Sequence, residues 1–204
     1  MDTELETRTQ IYRRLRELAD HFYEHPAPGM DRRAEIADGQ LVMMMSPSGR
    51  HDYNIVQIQK QLTRQLADEL AAATVGDVED PANGLLRRPD LLVLPIDALD
   101  PPDDDGVDAE RDHRIDAHAV ILAVEIVSPS NPGNDHRTKV ADYARMGIEH
   151  YLIVDPRTGT LRYLWGIRDH AYVNTIEHSF GETITVGDGW KIDTTAVRRY
   201  RSTT

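Results

Sequence analysis

The 204-residue chain contains no cysteine. It therefore has no disulfide, no thiolate zinc site and no cysteine nucleophile, and any bound metal must be held by oxygen or imidazole ligands. A long hydrophobic run is also missing, because the longest, residues 119–127, contains Glu125 and is far too short to span a bilayer. The first residues are acidic where a secretory signal peptide is basic. These absences predict a cytoplasmic protein with no membrane partner.

Lysine is scarce, since only Lys60, Lys139 and Lys191 occur among the 23 basic residues and the others are arginines. A lysine is thus a marked choice in this chain. Acidic residues number 35 and give a formal net charge of −12, which disfavours nucleic acid as a partner. However, residues 97–116 alone hold nine acids against two arginines. Much of the acidity therefore belongs to one segment, which we expect to be a solvated loop.

The length predicts a single domain over residues 1–204. Its first part, residues 1–72, is expected to contain a helix over 7–23, a hairpin that turns at Asp38-Gly39, and a second helix over 51–71. The last part, residues 166–204, is expected to form strands of an antiparallel meander that begins near residue 160.

Between these parts lies a predicted core, residues 73–165. Three apolar runs in it do not alternate with polar residues, which is typical of strands that are covered on both faces; they span residues 91–94, 119–127 and 151–155. A helix is expected over 136–146, ending at Gly147.

Glu125 is the strongest anomaly in the sequence, because an ionised carboxylate inside an apolar strand is costly unless it is paired or bound to a metal. Two ordinary explanations are an edge strand with Glu125 facing water and a structural ion pair with an arginine. The length of the apolar run argues against an edge strand. Glu125 is therefore a candidate functional residue.

Asp90 directly precedes another apolar strand and could simply pair with Arg87 or Arg88. Together with Glu125, however, it supplies the two carboxylates on neighbouring strands that a hard divalent cation prefers. Lys139 lies on the helix that follows the Glu125 strand, and its compact ammonium is suited to a phosphate or an attacking water. The alternatives for this lysine are a snorkelling side chain, with its stem on apolar surface and its ammonium in water, and a surface pair with Asp142.

Glu35 and His51 are weaker candidates on the residues alone. Glu35 lies in the predicted hairpin and could be exposed there. His51 lies one turn before Ile55 on the apolar side of the second helix, where a core or capping histidine is the more frequent explanation.

These residues occur in an order that resembles the Uma2 family of restriction-endonuclease-like proteins, within the PD-(D/E)XK nuclease superfamily. The resemblance extends from about residue 11 to 165 and is carried by Arg88-Pro89-Asp90, residues 124–130, Lys139 with Tyr143, Gly147 and residues 151–156, and by the hairpin at 35–41 and His51 after Ser-Pro-Ser. It implies an α/β fold with a mixed central β-sheet flanked by α-helices. The superfamily's usual lysine lies two residues after the second acid, where this chain has Val127. Lys139, from the following helix, would replace it.

The resemblance also implies a mechanism. Asp90 and Glu125, with the backbone carbonyl of Ile126, would bind Mg²⁺ or Mn²⁺ for hydrolysis of phosphodiester bonds in nucleic acid, with DNA the expected substrate. Lys139 would position or help to deprotonate the attacking water, Glu35 would hold a second metal or a metal-bound water, and His51 would support the site or contact phosphate. Pairing into a homodimer is an expectation from the superfamily.

Two other functions stay open at this point. The chain could be a catalytically silent nuclease fold that serves as a binding or assembly protein. It could also be a metal-dependent hydrolase that acts on something other than nucleic acid, because a fold does not determine a substrate. Convergence of Asp90, Glu125 and Lys139 on one cleft is the observation that separates the catalytic from the silent protein.

Overall fold

The computed structural model describes residues 2–25, 34–43, 49–74, 76–99, 114–129 and 133–201. The helices in these ranges are α1 (Asp2–Glu24), α2 (Gly49–Thr63) and α3 (Lys139–Arg145). The strands are β1 (Ala34–Ala37), β2 (Gln40–Met43), β3 (Leu70–Ala73), β4 (Asp77–Asp80), β5 (Leu85–Arg87), β6 (Leu91–Pro95), β7 (Arg114–Asp116), β8 (Leu122–Ile126), β9 (His150–Asp155), β10 (Thr160–Arg168), β11 (Ala171–Ser179), β12 (Thr183–Val186) and β13 (Trp190–Asp193).

Three sheets contain these strands. The largest has the order β11-β10-β9-β8-β6-β3, a second has the order β2-β1-β5-β4-β7, and β12 pairs with β13 alone. The pairs β8–β9 and β4–β7 are parallel and the other pairs are antiparallel, so both larger sheets are mixed. The α/β class with a mixed sheet and flanking helices is thus confirmed.

The three apolar runs form neighbouring inner strands of the six-stranded sheet: β6, β8 and β9. Their central residues are buried on both faces, as the lack of alternation predicts. One face packs on Tyr143 and Met146 of the α3 region, and the other packs on Ile58 and Leu62 of α2. Glu125 therefore lies on an inner strand, and the edge-strand explanation is excluded.

The hairpin β1–β2 confirms the prediction from Asp38-Gly39. Both residues have positive φ, 49° and 67°, as the two central positions of a type I′ turn require. Glycine adopts this conformation freely and aspartate tolerates it better than most residues do. The hairpin joins the five-stranded sheet through β5 and places Glu35 on the buried side of that sheet.

The second helix is shorter than the sequence predicts. It ends at Thr63, and Leu70–Ala73 is strand β3, paired with β6. The run of alanines favours a helix by intrinsic propensity, but the open edge of β6 offers backbone partners, and tertiary pairing overrides propensity here.

Two further boundaries differ from the prediction. Arg114–Asp116, the end of the expected acidic loop, is strand β7, because buried Ile115 anchors it beside β4; residues 100–113 lie outside the described part. The helix expected from residue 136 begins with a wider π turn, Asn134–Thr138, before α3. A π turn of this kind often occurs at functional sites.

Amide side chains of α2 and of the turn that follows it hold the C-terminal part of the chain against the helix. Asn54 donates to the carbonyl of Arg198 at 2.9 Å and accepts from its amide at 2.9 Å. Gln61 makes the same two bonds with Asp193, and Gln65 makes them with Lys191. The match is geometric, because four residues of helix rise about 6 Å and two residues of strand about 6.6 Å.

Replacement of Asn54 tests this arrangement. Asn54→Ala should lower the free energy of unfolding by about 1–3 kcal/mol, because it leaves a backbone amide and carbonyl unsatisfied at a buried site. Urea denaturation measures the change. Gln57→Ala on the same helix is the control and should cost much less. Equal losses for the two variants would contradict a specific role for Asn54.

Within the described ranges, no helix combines the length and the apolar character needed to cross a membrane.

Candidate active site

Asp90 and Glu125 lie side by side at the end of two paired strands. The register of β6 and β8 pairs Leu91 with Val124, so Asp90 and Glu125 are the next residues on the two strands. Asp90 Oδ2 accepts a 2.7 Å hydrogen bond from the backbone amide of Ile126, which fixes the carboxylate across the strand end. The sequence prediction that these two acids share a site is consistent with this geometry.

Lys139 is inserted among three carboxylates. Its Nζ lies 2.7 Å from Glu125 Oε1, 3.2 Å from Glu35 Oε1 and 3.6 Å from Asp135 Oδ1. The residue is only 2% exposed, so it is neither a snorkelling nor a surface lysine. The wide turn before α3 carries Asp135 on the same side as Lys139.

Two tyrosines support this cluster from the core side. The hydroxyl of Tyr143 donates to Glu125 Oε1 at 2.6 Å, and its ring packs edge-on against Tyr151. The hydroxyl of Tyr151 donates to the backbone carbonyl of Asp135 at 3.0 Å. Lys139 and Tyr143 are separated by one helical turn and hold the same oxygen of Glu125.

Glu35 reaches the cluster from the five-stranded sheet and is completely buried. Its Oε2 accepts from Arg87 at 2.7 Å, and its Oε1 accepts from the amide of Arg88 at 3.2 Å and contacts Lys139. Both oxygens are therefore already in use. The ordinary explanation of Glu35 as an exposed hairpin residue does not apply.

Arg87 forms a second buried ion-pair network behind Lys139. Its guanidinium pairs with Glu35 and with Asp142, and Asp142 also pairs with Arg145. The alternative of a Lys139–Asp142 surface pair is thus wrong, because Asp142 is buried and has arginine partners. Arg87 does not neutralise Asp90 either.

His51, at the start of α2, contacts Asp90. Its Nε2 lies 3.1 Å from Asp90 Oδ2, and its Nδ1 lies 3.4 Å from Asp52 Oδ1. Burial alone would lower the pKa of His51, but the hydrogen bond and charge of Asp90 outweigh it and the pKa is raised. His51 therefore tends to carry positive charge beside the carboxylate.

The two central acids are electrostatically different. Burial raises the pKa of Glu125 well above its ordinary value, and the Asp90 charge adds to the rise while Lys139 opposes it. For Asp90 burial acts in the same direction, but the hydrogen bond and charge of His51 prevail, so its pKa is lowered. Such a divergence between neighbouring carboxylates is typical of functional sites.

The acid pair and the neighbouring backbone offer oxygen ligands of the kind that a hard cation prefers. Lys139 and Tyr143 both bind Oε1 of Glu125, and Ile126 and His51 both contact Oδ2 of Asp90. The other oxygens of the pair, Oε2 of Glu125 and Oδ1 of Asp90, take no part in these four contacts. The Ile126 carbonyl is on the Asp90 side as well, because the N–H and C=O of one strand residue point the same way.

The set of possible metal ligands is small. No group of three or more His, Asp or Glu side chains in the described residues is arranged to hold a metal ion. Any cation at this position would be held by two carboxylates, a carbonyl and water, which is an arrangement that Mg²⁺ accepts.

The residues that sequence reasoning did not assign to the site are Arg87, Asp135, Asp142 and Tyr143. A signal existed for three of them, since Asp135, Asp142 and Tyr143 lie four before, three after and four after Lys139. Arg87 carries no such signal, because its partners Glu35 and Asp142 are 52 and 55 residues away.

The comparison with known proteins identifies the family. The Uma2 family model, described as "Putative restriction endonuclease", matches residues 19–195. The chain belongs to the Uma2 family. A similar solved structure is a crystal structure of a "putative nuclease belonging to DUF820" from Anabaena variabilis ATCC 29413, with 16% identity and a TM-score of 0.59 over 82% of this chain and 88% of that chain. No curated protein matches.

Membership of Uma2 confirms the resemblance drawn from the motifs, and the solved structure shows the same fold at low identity. The family model extends beyond the resemblance, which ended near residue 165, and includes the C-terminal strands as far as residue 195.

Removal of Arg87 tests the buried network. Arg87→Met should lower the free energy of unfolding by about 3–5 kcal/mol, because Glu35 and Asp142 would keep buried charge without a partner. Thermal or urea denaturation measures the loss. The same change at exposed Arg168 serves as the control. A loss for Arg87→Met that does not exceed the control would show that these pairs do not stabilise the packing of α3 against the five-stranded sheet.

Proposed function

We propose that this Uma2 protein is a metal-dependent endonuclease that hydrolyses phosphodiester bonds in nucleic acid, with DNA as the substrate. The observation that carries the proposal is the position of Lys139 Nζ, 2.7 Å from Glu125, beside an Asp90 that lies next to Glu125 across the strand pair. An acid pair with an adjoining ammonium is suited to metal-assisted phosphodiester hydrolysis, since the acids can hold the ion and the ammonium can stabilise developing negative charge.

The charge balance of the cluster supports a cation. Five acids, Glu35, Asp90, Glu125, Asp135 and Asp142, lie close to the buried cations Arg87 and Lys139, with Arg145 also on Asp142 and His51 on Asp90. Arg87 serves Glu35 and Asp142, and Lys139 contacts Glu125 on one oxygen only. These four cations leave one of the five acids in excess, and a bound divalent cation would offset that charge.

Asp90, Glu125 and the Ile126 carbonyl are the residues that would hold Mg²⁺ or Mn²⁺. When bound, such an ion acts as a Lewis acid on the scissile phosphate and favours ionisation of water. The chain's own groups do the rest. His51 orients Asp90, and Tyr143 orients Glu125.

Lys139 is the residue that we assign to the reacting groups, where its ammonium would position the attacking water or neutralise a phosphate oxygen. Its place is fixed from both sides by Glu125 and Glu35. For Glu35 we propose a positioning role in place of a second metal site, because its oxygens already serve Arg87, the Arg88 amide and Lys139.

One observation favours the silent alternative. Lys139 already pairs with Glu125, so the cluster is partly neutralised by the protein itself, and the described residues contain no group of three metal-ligating side chains. A nuclease fold of this kind would bind nucleic acid or another protein without cutting.

Replacement of Glu125 distinguishes these functions. With Mg²⁺ or Mn²⁺, the wild-type protein should cleave a labelled nucleic acid, and Glu125→Gln should lower the rate by roughly 100-fold or more, because an amide is a much poorer metal ligand. Duplex DNA, single-stranded DNA and RNA are tested in parallel by gel electrophoresis. Glu177→Gln, the same change at an exposed position of β11, should retain wild-type activity.

Two results would overturn the proposal. Equal cleavage by wild type and Glu125→Gln would place the activity elsewhere or in a contaminant. Absence of cleavage of every substrate with either ion, while nucleic acid is bound, would establish the silent binding protein.

A further inference from the structure

The last described residues of the chain lie beyond the part that the family model matches. The match ends at residue 195, whereas the structure continues to residue 201. This short extension contains Arg198, Arg199 and Arg201 in a chain of net charge −12. It therefore adds cationic groups that the family match does not include.

The extension is attached beside the candidate site. The amide of Tyr200 donates to the carbonyl of Pro156, and its hydroxyl donates to the carbonyl of Val127, both at 3.0 Å. Val127 follows Glu125 by two residues, and Asn54, one turn of α2 after His51, holds the backbone of Arg198. The segment thus runs past the strand ends of β6 and β8, where Asp90 and Glu125 lie.

A second observation places it within electrostatic reach of the acids. Burial raises the pKa of the Tyr200 hydroxyl, and the next contribution is the negative charge of Asp90. Arg50, directly before His51, donates a 2.7 Å hydrogen bond to the carbonyl of Arg199.

Both guanidinium groups in question are held in defined places. The Arg198 guanidinium lies 4.4 Å above the ring of Tyr53, a cation–π arrangement. The Arg199 guanidinium packs on the turn between β9 and β10, where a methyl group added to Gly159 would overlap it. Stacked arginines of this kind keep their N–H groups available for a planar or tetrahedral anion.

These arginines differ from the arginines that form ion pairs in the described chain. Arg16, Arg87, Arg88, Arg145 and Arg157 each pair with a carboxylate. Within the described ranges, neither Arg198 nor Arg199 forms such a pair, and both are exposed. In a chain with an excess of acids, exposed arginines beside a site and without acidic partners favour an anionic ligand.

We propose that Arg198 and Arg199 bind backbone phosphates of the nucleic-acid strand that occupies the Asp90–Glu125 site. The proposal rests on the proposed function for the identity of its ligand. The shared chemistry is the phosphodiester backbone, so DNA and RNA are separate arms of the test. The extension would thereby offset the acidity of the chain at the one place where the strand must approach.

Binding is measured in the Glu125→Gln background, so that bound probe is not cut. A fluorescein-labelled 20-mer is titrated as duplex DNA, single-stranded DNA and RNA at several NaCl concentrations, and anisotropy gives Kd. Arg198→Gln with Arg199→Gln should weaken binding roughly 10- to 100-fold at low salt. The slope of log K against log salt should fall by roughly 1.4–1.8, corresponding to two lost phosphate contacts.

Two controls separate charge from structure. Arg198→Lys with Arg199→Lys keeps both charges and should restore most of the salt slope. Arg168→Gln removes an arginine at the far end of β10, roughly 26 Å along the strand from Thr160, and should leave binding unchanged. Melting temperatures of all variants show whether the fold is retained; the backbone bonds to Asn54 do not involve the replaced side chains.

The outcomes for the two proposals are distinct. If wild type cleaves nucleic acid but the double glutamine variant binds with unchanged Kd and salt slope, the arginine proposal is overturned and the nuclease stands. If wild type does not cleave but binding depends on these arginines, the nuclease is overturned and the phosphate contacts stand. Absence of binding to all three probes overturns the arginine proposal.

Discussion

The buried ammonium of Lys139 is the interaction on which the rest of the site depends. It contacts Glu35 from the five-stranded sheet, Glu125 from the six-stranded sheet and Asp135 from the turn before α3. Three separate elements are therefore joined at one charge, and Arg87 repeats the arrangement one layer behind. Because each carboxylate would be costly to bury alone, the network joins the two larger sheets and holds Glu35 and Glu125 in place.

The distribution of charge bears on the conflict between an acidic chain and the proposed nucleic-acid substrate. Much of the excess is carried by residues 97–116, which lie along the sequence between the two proposed ligands Asp90 and Glu125. Three arginines, Arg198, Arg199 and Arg201, lie in the C-terminal extension, outside the family match. Net charge governs long-range attraction, whereas the local arrangement of cations governs which phosphates are held. Binding by this protein is thus expected to rely on a few placed arginines.

Sequence patterns predicted the inner strands and the hairpin and singled out Glu125, because each depends on a local feature: an uninterrupted apolar run, an Asp-Gly turn, a charge where none is expected. They did not predict Arg87 with Asp142, or Asn54 with Arg198, whose partners are 55 and 144 residues apart. Strand β3 was also missed, since its alanines favour a helix until the edge of β6 is present. Contacts between residues that are far apart in the sequence produce no periodic pattern, so the sequence alone does not predict them.

The central claim is that Asp90 and Glu125 form one divalent-cation site, and direct Mn²⁺ binding tests it most simply. In isothermal titration calorimetry we expect one Mn²⁺ per chain for wild type, with affinity lowered roughly 10- to 100-fold or more in Asp90→Asn and in Glu125→Gln. The Glu177→Gln control should bind like wild type. Wild-type protein that takes up no Mn²⁺, or an Asp90→Asn variant that binds it equally well, would contradict the account.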